Sequence, residues 1–151
     1  MDESLRELYQ EVILDHSRHP RHFGALEGAT HKAEGYNPLC GDRVTVYLAL
    51  DEAGKVADIK FQGKGCAISQ ASASLMTEMV KGRSREEAQA LMDGFLHLVK
   101  GEDAGALSAE DRETLDVMAG LSEFPMRVKC ATLAWHTFKS AVEDGATVKS
   151  E

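Results

Sequence analysis

The chain has 151 residues, 43% of them hydrophobic, with 25 acidic against 17 basic side chains and a formal charge of −8. That length and apolar fraction suit one domain, residues 1–151, around a single core. No apolar run approaches a transmembrane span. The first ten residues carry Asp2, Glu3, Arg6 and Glu7 where a secretory leader would be apolar. The expectation is a soluble cytoplasmic protein without membrane association. The charge is concentrated, with ten acids and two bases between Glu86 and Glu123. A surface of that sign repels nucleic acid and points to a basic or neutral protein partner.

Leu5, Leu8, Tyr9, Val12 and Ile13 recur at helical spacing and predict an N-terminal amphipathic helix ending near Asp15. His16 to Gly28 is basic and histidine-rich, contains Pro20 and Gly24, and reads as a loop. His16, His19 and His22 stand three apart, but Pro20 interrupts any helix that would align them as metal ligands. Val44, Val46, Leu48 and Leu50 alternate with Thr45, Tyr47 and Ala49, the pattern of a strand with one apolar face. Asp51 to Gly54 reads as a turn and Val56 to Phe61 as the returning strand. Lys32 to Tyr36 is a weaker third strand, with His31 in the loop before it.

After Cys66 the period lengthens. Ile68, Ala71, Ser72, Leu75, Met76 and Met79 predict a helix ending near Gly82. Ser84-Arg85-Glu86-Glu87 is a capping box that opens the next helix. Ser108 and Asp111 cap a shorter helix through Leu115 and Met118. The last helix begins near Pro125 or Met126, with Ala131, Ala134, Trp135, Phe138, Ala141 and Val142 as its apolar stripe. The methionines and Trp135 read as core, and the tail after Gly145 as frayed. Helices segregated from a small antiparallel sheet make an α+β domain.

The chemistry concentrates in the three cysteines. An odd number cannot all pair within one chain, and the spacing is not the Cys-x-x-Cys of a zinc finger or thioredoxin-like site. Cys40 lies in N-P-L-C-G-D, where Gly41 permits a tight turn that presents the thiol beside Asp42. Cys66 lies between G-K-G and a helix start, where free N–H groups, the dipole and Lys64 favour a thiolate. Cys130 lies near the start of the last helix, and Arg127, one turn earlier, would share its face. Three thiols and a carboxylate are a complete ligand set for a tetrahedral soft-metal site, so Cys40, Asp42, Cys66 and Cys130 are the candidate ligands. Zinc and cluster-bound iron both suit such a set. A ligand carried on a loop, as Cys40 is, can be released, and the freed thiolate is a nucleophile for persulfide sulfur.

Four stretches carry a resemblance that runs from about Leu5 to Lys139: Y-Q-E-V-I-L-D-H with H-P-R-H-F-G, then N-P-L-C-G-D, then G-K-G-C-A-I-S-Q-A-S-A-S, then F-P-M-R-V-K-C-A-T-L-A-W. By these the chain resembles the SufU branch of the U-type iron–sulfur assembly proteins, relatives of the IscU scaffolds and the N-terminal domain of NifU. Scaffold-type members carry a histidine before the third cysteine, and here Lys129 stands in its place. They also carry an L-P-P-V-K chaperone motif, and here the stretch is F-P-M-R-V-K. The acidic segment from about His97 to Gly120 resembles the insertion of the SufU type. The resemblance implies the IscU/NifU N-terminal fold and a zinc ion on Cys40, Asp42, Cys66 and Cys130. It implies a sulfur-acceptor (sulfurtransferase) role, with a PLP-dependent cysteine desulfurase of the SufS type as partner and other iron–sulfur assembly proteins downstream. Cys40 would be the acceptor, freed when a histidine of the partner takes its place on zinc. Arg127 matches a family arginine beside the site that steadies or helps exchange the cysteine ligand. The alternative is a scaffold that assembles a [2Fe–2S] cluster on the same ligands.

Overall fold

The computed structural model describes residues 3–105, 107–143 and 147–149, with the side chains of Ser4, Leu5 and 147–149 excepted. Met1, Asp2 and the tail residues 144–146 and 150–151 lie outside the described residues, as does Ala106 within the acidic segment. Helix α1 spans Glu3–Arg18 and strand β1 His31–Asn37; β2 spans Asp42–Leu50 and β3 Val56–Lys64. Helix α2 follows over Ala67–Val80, α3 over Arg85–Leu98 and α4 over Ala109–Leu115. A 3-10 helix covers Asp116–Glu123, α5 covers Pro125–Glu143 and β4 covers Thr147–Lys149.

The sheet order is β3-β2-β1-β4. Strands β1, β2 and β3 form the expected antiparallel meander. Asn37 pairs with Asp42 at one end, and Arg43 pairs with Lys64 across the second hairpin. The turn between β2 and β3 is an Asx turn: Asp51 Oδ1 accepts from Ala53 N and Lys55 N, each at 2.9 Å. Alternation along β2 buries Val44, Val46 and Leu48 and turns Arg43, Thr45 and Tyr47 outward. Helix α5 lies against β1 and β2, α2 lies against β3 and α5, and α1 packs on α2 and the 3-10 helix. Trp135, fully buried, stacks on Phe95 with centroids 5.0 Å apart at the heart of the helical layer.

The capping box opens α3 as expected: Glu87 N donates to Ser84 Oγ at 3.1 Å and Ser84 N to Glu87 Oε1 at 3.3 Å. Several expectations need correction. Helix α1 continues past Asp15 to Arg18, because His16 is buried and its Nδ1 meets Ser74 Oγ of α2 at 2.7 Å, tying the last turn down. Leu8, assigned to the apolar face of α1, is 53% exposed, so that helix sits lightly on the body. His31 is the first residue of β1, held by pairing with Leu48. The segment after α4 tightens into a 3-10 helix instead of carrying one α-helix through Met118. Met76, Met92 and Met118 are core, but Met126 is 69% exposed. The frayed tail is not observed at Thr147–Lys149, whose backbone pairs parallel to β1 as an edge strand.

Candidate metal centre

The site forms where two hairpin ends meet two helix starts. The turn between β1 and β2 is closed by Gly41 N donating to Asn37 O at 2.8 Å, with Gly41 at φ +71°. That left-handed geometry favours glycine and leaves Cys40 exposed at the tip, with Leu39 beside it. Asp42 is the first residue of β2 and is fully buried. Its Oδ1 accepts from Cys66 N at 2.9 Å, at the N-cap of α2, and its Oδ2 lies 4.0 Å from Cys66 Sγ. One carboxylate thus ties the first hairpin to the start of α2, where the helix dipole favours an anion. Gly65 makes that approach possible: a Cβ there would sit 2.5 Å from Asp42 Oδ1.

Cys130 is fully buried in the second turn of α5. Its Sγ lies 3.6 Å from Cys40 Sγ, and Asn37 Nδ2 donates to it at 4.0 Å. Ser72 Oγ donates to Ala131 O at 2.5 Å, which fixes α2 against α5 and so Cys66 against Cys130. Ligand atoms of Cys40, Asp42 and Cys130 all lie within 4.8 Å of one another. Cys66 stands just outside that group, in contact with Asp42. Arg127, exposed, has its pKa held above the ordinary value first by a hydrogen bond with Cys130 and then by the nearby sulfurs, Cys66 foremost. Of the residues singled out in the sequence, Cys40, Asp42 and Cys130 thus come together, Cys66 touches Asp42, and Arg127 bonds Cys130. Asn37 was missed; its only sequence signal is a polar residue before the Pro38 turn, and its full burial emerges only in the folded hairpin.

Burial, and then the hydrogen bond with Cys40, push the Cys130 thiol far above the usual thiol range. A buried thiol beside other thiols resists ionisation unless a cation compensates. The donor set fits zinc on that ground. Zn–S bonds of about 2.3 Å in a tetrahedron put sulfur atoms about 3.8 Å apart, against 3.6 Å for Cys40 and Cys130. Three further histidines are hydrogen-bonded away from the site, His31 through Thr30 Oγ1 at 2.8 Å. His22 Nδ1 meets Thr77 Oγ1 at 3.1 Å, and His97 Nδ1 meets Glu102 at 2.7 Å.

Comparison with known proteins agrees with this geometry. Residues 8–131 match the family model described as the NifU-like N terminal domain. The chain is 41% identical over 145 residues to a Streptococcus pyogenes protein named iron–sulfur cluster assembly scaffold protein IscU, covering 96% of this chain and 89% of that one. It is 38% identical over 139 residues to the Bacillus subtilis zinc-dependent sulfurtransferase SufU, covering 92% of each. The crystal structure of a SUF-system protein from Fervidobacterium islandicum AW-1 superposes with a TM-score of 0.77 at 37% identity, covering 91% of this chain and 98% of the other. The chain therefore belongs to the NifU-like N-terminal domain family, the IscU- and SufU-related proteins of iron–sulfur cluster assembly.

Proposed function

We propose that this protein is a zinc-dependent sulfur acceptor that takes persulfide sulfur from a PLP-dependent cysteine desulfurase of the SufS type and relays it to iron–sulfur assembly. The observation that carries the reading is the asymmetry of exposure within one donor cluster. Cys40 is exposed on a turn, while Cys130 and Asp42 are fully buried. Such a site keeps its inner donors in place and offers one thiol to a partner.

Zinc on Cys40, Asp42, Cys66 and Cys130 would hold the thiols as thiolates near neutral pH. In the transfer, the Cys40 thiolate attacks the outer sulfur of the enzyme's cysteine persulfide. A new S–S bond forms at Cys40, and the desulfurase cysteine leaves as a thiolate. Asp42 keeps the first hairpin docked on α2 while the turn bearing Cys40 moves. Arg127 faces the thiols as a fixed cation that stabilises sulfur anions as they form and exchange. Leu39, Phe124 and Met126, all more than half exposed beside these residues in sequence, provide the apolar rim that a protein partner needs. The kinship with the Bacillus subtilis sulfurtransferase and the Lys129 substitution support this reading.

The second reading, a scaffold that assembles a [2Fe–2S] cluster on the same thiols, is favoured by kinship with the Streptococcus pyogenes scaffold. Desulfurase turnover assays separate the two. Cys40→Ala, at an exposed position, should fold normally and abolish stimulation of the desulfurase by this protein. A folded Cys40→Ala protein with undiminished stimulation rules out Cys40 as acceptor.

A further inference from the structure

The face of the sheet turned away from the helices carries a pattern that the metal centre does not use. Two rows run across the three antiparallel strands. Lys32, Tyr47 and Lys60 are register partners in one, and Tyr36, Arg43 and Lys64 in the other. Lys32, Arg43 and Lys64 are exposed, and Lys60 is half-exposed. Lys32 Nζ lies 5.5 Å from the Tyr47 ring centre and the Arg43 guanidinium 5.8 Å from that of Tyr36, so each cation lies across a ring. The rows are four residues apart on β2, about 13 Å at about 3.3 Å per residue. Between them lie Thr45, Gln62 and one acid, Glu34.

Two features set this face apart. It concentrates cations on a chain whose formal charge is −8. It also places Arg43 directly opposite Lys64, a like-charge pair that costs stability in a sheet. None of the four cations makes an ion pair within 4 Å among the described residues. The Asp58 carboxylate, near the start of β3, is already paired with Lys81 at 3.3 Å.

We propose that this open sheet face is a docking surface for an acidic protein, one that presents two carboxylate clusters about 13 Å apart, spaced to meet the two rows. Charge complementarity selects the partner. Nucleic acid fits less well, because the tyrosine faces that would stack on bases are covered by Lys32 and Arg43, and the rest of the molecule repels a polyanion. The row with Arg43 and Lys64 adjoins Asp42 and Cys66 in sequence, so the occupant would sit beside the metal centre. The inference stands on the sheet alone and holds whichever chemistry the cysteines perform.

The test uses the full-length, metal-loaded protein, isotope-labelled for amide NMR. The probe is a synthetic β-hairpin peptide carrying two cross-strand glutamate pairs four residues apart along its strands, about 13 Å at about 3.3 Å per residue, so that both pairs share one face. A peptide of the same composition with the pairs adjacent is the control. The spaced peptide should shift amides of the two rows, bind at least about fivefold tighter than the control, and weaken about tenfold against Lys32→Glu/Lys60→Glu. Both substitutions lie away from the candidate ligands. Shifts centred elsewhere, equal binding of the two peptides, or affinity unchanged by the double substitution would overturn the proposal. So would tighter binding of single-stranded oligouridylate at these rows, or occupation of the face by a second copy of the chain in sedimentation runs without peptide.

Discussion

Asp42 joins both halves of the candidate metal centre, and its neighbour Gly65 sets how well it does so. An added methyl at Gly65 has no free space, since the nearest atom is the buried carboxylate oxygen at 2.5 Å. Gly65→Ala should therefore push Asp42 out of line with Cys66 N, cost about 1–3 kcal/mol by overpacking, and weaken zinc retention in competition with a chelator. Unchanged retention in a folded Gly65→Ala protein would remove Asp42 from the ligand set. The cysteines and Asp42 were legible in the sequence because their flanking glycines, the turn and the helix start are local signals. The contact of Asn37 with Cys130 was not, because it joins residues far apart in the chain and depends on how α5 lands on β1.

Among the elements, α1 and α3 are held by contrasting means. Ser84 caps α3 reciprocally with Glu87, so Ser84→Ala should cost about 1 kcal/mol and lower the thermal midpoint by about 2–4 °C, measured by calorimetry. Helix α1 buries little apolar surface among its described side chains and leans on His16. Burial, and then the nearby Arg21 cation, push the His16 pKa below its ordinary value, against the opposing pull of Glu78 and Asp15. Between that lowered folded value and an unfolded value of about 6.5, the unfolded chain binds more protons. Stability is thus fully present above about pH 6.5 and is lost as pH falls through that window. His136 is shifted in the same direction by burial and by Lys139 and Lys100, so it adds to the slope. Urea titrations of metal-free protein should show lower stability at pH 5.5 than at 7.5. The difference should shrink, but not vanish, in His16→Gln. Periodicity predicted α1 but ended it too early, because the bond from His16 to Ser74 is tertiary; the helix runs on to Arg18, just short of Pro20.

At the scale of the molecule, the α+β architecture was readable because strand alternation and helical periodicity change at clear punctuation, near Gly65 and again before Ser84. The fourth strand was not readable. Its three residues form a strand by pairing parallel to β1, a contact with no local pattern. The centre links hairpin, α2 and α5, so metal binding should stabilise the whole fold. With zinc at a hundredfold excess over its dissociation constant, the gain is about 2.7 kcal/mol, or roughly 5–10 °C in the thermal midpoint. Chelation should remove that gain, and Cys130→Ala should show no zinc-dependent shift. The most direct measurement for the sulfur-acceptor account is peptide mass spectrometry with metal analysis, after incubation with a SufS-type desulfurase and free cysteine. The account predicts one added sulfur atom on the Cys40 peptide, with zinc retained and no sulfur on Cys66 or Cys130. Bound iron and acid-labile sulfide without a Cys40 persulfide would contradict it and favour the scaffold.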